Sequence, residues 1–238
     1  MAKRKQKERE LFAFVNPKSA IAEAFRTLRT NISFSFLDQP CHTIMTTSAG
    51  PEDGKSTVTS NLGVVMAQAG SRVLIVDCDL RKPVLHKYFH VDNYRGLTNL
   101  LVQDIEIGEI VRASSVEGLW ILTSGPIPPN PSELLGSKKM KSFLAKAAQE
   151  YDVVLVDAPP VIAVTDASVL APLVDGVVLV ARSGENRIDM IKDAKIQLEK
   201  ASARIIGVVL NEVKMHGEDY RYYYYYKGKE SSPNEVVL

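Results

Sequence analysis

The stretch AGPEDGKST, from Ala49 to Thr57, lies between an apolar, β-branched run and a segment of good helix formers. Ala49 stands in a first position often held by glycine, Gly50, Pro51, Glu52 and Asp53 follow, and Gly54, Lys55, Ser56 and Thr57 close a phosphate-cradling spacing. Gly54 lets backbone amides approach phosphates, Lys55 neutralises β- and γ-phosphate charge, and Ser56 brings a hydroxyl to Mg²⁺. The chemistry expected is the binding of ATP with magnesium. Two further segments supply carboxylates: LIVDCDLRKP carries Asp77 and Asp79, and VVLVDAPP carries Asp157. Asp77 and Asp79 share a side if the chain stays extended. Any one of the three could cap a helix or a loop; on one rim with Lys55 and Ser56 they point to a metal, because a magnesium nucleotide needs carboxylates directly or through water.

The elements that must position these groups are legible as alternating runs. Strands are expected at 42–48, 72–77, 151–157, 176–181 and 204–211, all as buried strands, with a sixth at 119–125. Met140, Phe143, Leu144, Ala147 and Tyr151 follow one helical face, as do Ile191, Ala194, Leu198 and Ala201, and Ser56 to Ala69 reads as a helix opening out of a glycine. The fold class is therefore α/β, a mostly parallel central sheet flanked by helices in a three-layer sandwich, as in P-loop NTPases. Such sheets bind ligands outside the carboxyl ends of the strands, where Ser48, Asp77, Asp157 and Asn211 fall. Asn211 either reads the base or caps a turn. The proline-rich segment from Gly125 to Leu135 reads as a loop, with a lid, a partner contact and a rigid connector all open.

Composition bounds the rest. The chain has 238 residues, 45% hydrophobic and 24% charged, with a formal charge of +1, which suits one globular domain and gives no reason to expect nucleic acid. The expected organisation is a flexible basic arm over 1–17, a nucleotide-binding domain over 18–214, and a flexible tail over 215–238. Cys41 and Cys78 are far apart and read as reduced thiols, and the four histidines make no ligand pattern. No apolar run reaches the ~18 residues of a membrane span, so membrane attachment is expected to come through a partner. The tail holds YRYYYYYKGK, in which Tyr220, Tyr222, Tyr223, Tyr224, Tyr225 and Tyr226 pack six tyrosines into seven residues. A buried strand and an exposed tail whose hydroxyls are substrate are the two readings. The lack of polar alternation and the charged, glycine-containing flanks favour the tail.

VDCDLRKP resembles the additional aspartate-containing Walker motif of bacterial protein tyrosine kinases of the capsule and exopolysaccharide type. LVDAPP resembles their Walker B motif, EAFRTLRTN their Glu-x-x-Arg-x-x-Arg signature, and the tyrosine run their C-terminal cluster. The resemblance implies a kinase that phosphorylates its tyrosine cluster in trans within a ring, an octamer in the family. It further implies a separate transmembrane activator chain, a tyrosine phosphatase that resets the tail, and a cytoplasmic place at the inner face of the membrane. Glu23, Arg26 and Arg29 would form the joint between subunits, their structural alternative being a solvated helix face. In this frame Lys55 serves the β- and γ-phosphates, Ser56 the metal, and Asp79 and Asp157 the metal or its waters. Asp77 accepts the tyrosine proton or joins the metal shell. Replacing Lys55 by methionine is expected to abolish transfer and leave the fold. The chain departs from the family where Glu52 replaces a glycine, which restricts the loop and sets a carboxylate near phosphates. Gly50 stands where partitioning ATPases carry a second lysine, which weakens that alternative; a non-catalytic scaffold of a polysaccharide machine is the other.

Overall fold

The computed structural model describes residues 10–36 and 41–214. The expected phosphorylation sites Tyr220, Tyr222, Tyr223, Tyr224, Tyr225 and Tyr226, with the rest of the 215–238 segment, lie outside the described residues, as do residues 1–9. The strands are β1 (Thr43–Ser48), β2 (Val73–Asp77), β3 (Arg112–Ala113), β4 (Leu119–Leu122), β5 (Val153–Asp157), β6 (Gly176–Arg182) and β7 (Ile205–Asn211). They form one sheet in the order β3-β4-β2-β5-β1-β6-β7, parallel throughout except for the antiparallel β3–β4 pair. Because β1, β2 and β6 are covered on both faces, they are buried as continuous runs rather than in alternation, β2 and β6 through apolar, β-branched residues and β1 with Thr and Ser among its buried positions.

The helices are α1 (Phe12–Val15), α2 (Ala20–Phe34), α3 (Lys55–Ala67), α4 (Leu85–Tyr88), α5 (Leu97–Val102), α6 (Ile107–Ile110), α7 (Pro131–Leu135), α8 (Lys138–Glu150), α9 (Asp166–Leu170) and α10 (Ile188–Lys200). Helices α1 to α4 enclose one face of the sheet, and α5 to α10 the other. α3 shows almost no sidedness because it is wrapped by the sheet, α1 and α2. Its buried Asn61 is satisfied locally: Oδ1 accepts the Ala13 amide at 2.9 Å and Nδ2 donates to the Thr57 carbonyl at 2.9 Å. On α8, Met140, Phe143, Leu144 and Ala147 are buried, and Tyr151 meets Trp120 edge-on with ring centroids 5.6 Å apart.

Four expectations change. The final strand is not buried: β7 is the sheet edge, with Val208 and Leu210 more than half exposed, because among the described residues no further strand or helix covers its outer side. The sixth strand stops at Leu122, and the two-residue β3 pairs with it. The proline-rich loop becomes helix α7 from Pro131, whose fixed φ and missing amide suit a first helical position. The arm over 1–17 shortens from its carboxyl side, since Leu11 and Ala13 are buried against the α2–α3 layer. Among the described residues no helix is long and apolar enough to cross a membrane.

Candidate functional site

The parallel register lays Thr46 of β1 beside Asp157 of β5, and Asp157 beside Asp77 of β2. The turn from β1 into α3 therefore closes over two carboxylates at the carboxyl ends of neighbouring strands. Gly54 makes that turn possible. Its φ is +88°, and a β-carbon there would stand 2.0 Å from Asn211 Nδ2. Asn211, ending β7, donates to the Asp53 carbonyl at 3.0 Å and so props the loop from below. Glu52 is exposed with φ of +64°, a left-handed conformation that a glycine would enter freely and a residue with a β-carbon enters at a cost.

At the start of α3, Lys55 Nζ lies 3.0 Å from Asp79 Oδ2, 3.5 Å from Asp157 Oδ1 and 3.3 Å from Ser56 Oγ. Ser56 donates to Asp157 Oδ2 at 2.5 Å, and Thr59 reaches the other oxygen at 3.4 Å. Burial opposes the Lys55 charge, but the attraction of Asp157 and then of Asp79 outweighs it and holds the ammonium pKa above its ordinary value. Burial raises the Asp157 carboxyl, with Lys55 and the Ser56 hydroxyl working against it. Burial also pushes the Asp77 carboxyl up, reinforced by the charge of Asp157. The fixed cation of this cluster is thus Lys55, near Asp157 and Asp77, whose carboxyls burial makes reluctant to ionise.

Asp77 is employed differently from its neighbours. It is fully buried, its Oδ1 accepts the Asp79 amide at 3.2 Å, and its Oδ2 accepts the amides of Val84 at 3.1 Å and Leu85 at 3.0 Å. It gathers the 78–85 connection and so presents Asp79, whose Oδ1 in turn accepts the Lys82 amide at 2.9 Å. Thr57 is outside this cluster and shares a hydrogen bond of 2.7 Å with the Tyr88 hydroxyl. Ser56 and Asp157 offer hard oxygens of the kind magnesium takes while keeping waters and phosphate oxygens in its shell. Among the described residues no group of three or more His, Cys, Asp or Glu side chains is arranged to hold a metal alone. The donor set fits an ion that arrives with a nucleotide.

Glu23, Arg26 and Arg29 are not brought to this rim. Arg26 pairs with Glu23 at 2.7 Å within α2 and also donates to the Pro17 carbonyl, while Arg29 donates to the Val65 carbonyl at 3.0 Å. Val65 is ten residues beyond Lys55 along α3, about 15 Å along the axis. Both thiols are unpaired, and burial raises them, Cys41 to about 12. Four residues were not singled out by the sequence. Asn186, in the β6–α10 turn, bonds the phosphate loop. Arg81 forks onto buried Asp166 at 2.9 and 3.0 Å, and Ser132 of α7 donates to the same carboxylate. Arg81 sits two residues after Asp79, a hint of sorts; Asn186, Asp166 and Ser132 carry no spacing signal.

A family model described as an AAA domain matches residues 42–185. The tyrosine-protein kinase YwqD of Bacillus subtilis is 44% identical over 218 residues, covering 91% of this chain and 92% of that protein. A Staphylococcus aureus protein named putative tyrosine-protein kinase CapB is 39% identical over 94% of this chain and 99% of its own length. Among solved structures, the kinase domain of the Escherichia coli tyrosine kinase ETK superposes with a TM-score of 0.81 at 36% identity, over 87% of this chain and 83% of that one.

Proposed function

Because this chain belongs to the bacterial tyrosine-protein kinases, we propose that it uses ATP with Mg²⁺ to phosphorylate its own tyrosine cluster, Tyr220 and Tyr222 to Tyr226, in trans within a ring. The observation that carries this is Lys55, kept charged between Asp79 and Asp157 at the mouth of a phosphate loop, in a chain that carries six clustered tyrosines. In the reaction the tyrosine oxygen attacks the γ-phosphorus, the bond to the β-bridging oxygen breaks, ADP leaves, and the phenolic proton passes to a carboxylate. Lys55 offsets the charge of the β- and γ-phosphates, and Ser56 and Asp157 would hold the metal, which would supply further neutralisation of the phosphate charge.

One role expected from the sequence shifts to a neighbouring residue. Asp77 has three amides on its oxygens and no exposure, which suits an anchor of the 78–85 connection. The proton is better received by Asp79, whose side chain keeps 7% exposure and is held by Lys55, a partner that phosphates would draw away. Glu23, Arg26 and Arg29 form the joint between subunits, with Arg forks meeting a neighbour's carboxylate. The division into an N-terminal basic segment, a kinase domain up to 214 and a tyrosine tail from 215 follows from the same reading. A separate transmembrane chain brings the kinase to the cytoplasmic side of the membrane and activates it, a phosphatase resets it, and capsule or exopolysaccharide synthesis or export is the process regulated.

Phosphorylation then acts as a switch. Each phosphotyrosine adds about −1.5 to −2 charges to a chain of formal charge +1, so modified tails repel one another and the carboxylates of the next active site, and the ring comes apart. Incubation with Mg-ATP followed by mass spectrometry of the tail, with oligomer mass measured against phosphate count, tests both parts. Phosphate on Tyr220, Tyr222, Tyr223, Tyr224, Tyr225 or Tyr226 and a falling mass are expected. Absence of tail phosphate overturns the kinase mechanism, and a heavily phosphorylated ring that stays as assembled as a Tyr→Phe tail variant overturns the switch alone.

A further inference from the structure

Asp53 is an anomaly in a loop that must receive phosphates. It is an acidic side chain only 3% exposed, and it makes no ion pair with Lys55, two residues away. Its oxygens are divided between two neutral donors. Oδ2 accepts the Gly50 amide across the loop at 2.7 Å, and Oδ1 accepts Asn186 Nδ2 at 2.9 Å. Asn186 belongs to the turn that joins β6 to α10, and its own Oδ1 accepts the Arg182 amide at the end of β6. Gly184, with φ of +74°, gives that turn its shape. The Asp53 carbonyl is held separately by Asn211. The phosphate loop is thereby tied to the ends of both β6 and β7, and the tie to β6 runs through a single side-chain amide.

We infer that Asn186 is a positioning residue for the phosphate loop, acting through Asp53, which it turns toward Gly50. The physical reason is a matter of donors and acceptors. A carboxylate accepts from both Gly50 and Asn186, and the Asn186 carbonyl is occupied by Arg182, so the amide has one orientation that satisfies all three bonds. Without the Asn186 donor the buried carboxylate lacks a partner for one oxygen, and the loop conformation that buries it is no longer favoured. Asn186 has no place in the chemistry of transfer; it decides how much of the time the loop is shaped for a nucleotide, which lowers apparent affinity in proportion when the shape is lost. The inference rests on the nucleotide reading given under Proposed function.

A charge-neutral exchange tests it. Asn186→Asp alone sets two carboxylates against each other at hydrogen-bond distance. Asp53→Asn with Asn186→Asp restores every bond, since the amide side chain now on the loop would accept from Gly50 and donate to the new carboxylate, which still accepts from Arg182. Two quantities are measured: Gly50 amide hydrogen exchange in the protein without nucleotide, and Mg-ATP affinity. The single Asn186→Asp change is expected to speed the exchange and weaken binding by about tenfold or more, and the exchange pair to return both to within about threefold of the parent. Asn186→Ala removes the donor without adding charge, should shift both quantities in the same direction, and stands in if the Asp variant does not fold. A paired variant no better than the single one, or an Asn186→Ala protein with parental Gly50 exchange and affinity, overturns the inference. If the parent itself binds no Mg-ATP, the nucleotide reading falls, and Gly50 exchange still decides whether Asn186 shapes the loop.

Discussion

Replacing Lys55 by methionine should do more than silence the kinase. From the sequence the lysine charge serves the nucleotide alone, and the fold is expected to survive its loss. In the structure that ammonium stands 3.0 Å from Asp79 and 3.5 Å from Asp157, and the Asp157 side chain is 0% exposed. Burial already raises the carboxyls of Asp157 and Asp77 above their ordinary values, and Lys55 is the cation that opposes the shift. Removing one partner of a buried ion pair costs about 3–5 kcal/mol. The lower end applies here because the carboxylates can escape by taking up protons. In a chain of this size about 3 kcal/mol corresponds to a fall in Tm of roughly 6–12 °C. The sign of the pH dependence follows from the same protons. Carboxyls whose folded pKa lies above the unfolded value near ~3.9 leave the folded state binding more protons than the unfolded one, so stability drops as pH rises through that window. The Lys55→Met deficit should therefore be full at about pH 8 and shrink toward about pH 5. Thermal unfolding of both proteins in the absence of nucleotide, at matched ionic strength across that range, measures it. Equal Tm values at the alkaline end, or a deficit that does not change with pH, would refute the assignment of Lys55 as the counter-charge of these carboxylates.

Three further outcomes can be measured. Glu52→Gly removes a left-handed strain worth about 1–2 kcal/mol while adding about 0.4–1 kcal/mol of unfolded-chain freedom; the net should be a small gain in Tm, and a clear loss would mean that the Glu52 side chain contributes more than its backbone costs. Asp77→Asn turns a side-chain amide donor toward backbone amides and should cost about 2 kcal/mol or more in urea unfolding. Unchanged stability with transfer abolished would instead return the proton-acceptor role to Asp77. The triple change of Glu23, Arg26 and Arg29 to alanine should lower the oligomer mass in light scattering at matched concentration and leave Mg-ATP affinity within about twofold, because the three lie on α2 and the contact of Arg29 with α3, at Val65, is about 15 Å along the axis from Lys55. A parental mass would return the three residues to a solvated face.

What the sequence determined is local or periodic. The AGPEDGKST spacing, the β-branched runs ending in Asp77, Asp157 and Asn211, and the 3.6-residue faces of α8 and α10 each follow from a few adjacent residues, so the sheet class and the position of the phosphate loop could be read without coordinates. Which strands are neighbours could not, because strand order depends on how both faces of the sheet are covered. That order sets Asp157 between Thr46 and Asp77 and leaves β7 as an open edge. The employment of each carboxylate was also beyond the sequence. Asp77 and Asp79 are identical in type and two residues apart, yet one is spent on three backbone amides and the other on Lys55 and a single amide, because the turn after β2 aims the amides of Val84 and Leu85 at the first. Asn186 was invisible for the same reason. It is one asparagine in a turn 133 residues from Asp53, and its meaning lies in a contact that only the packing of β6 against β1 brings about.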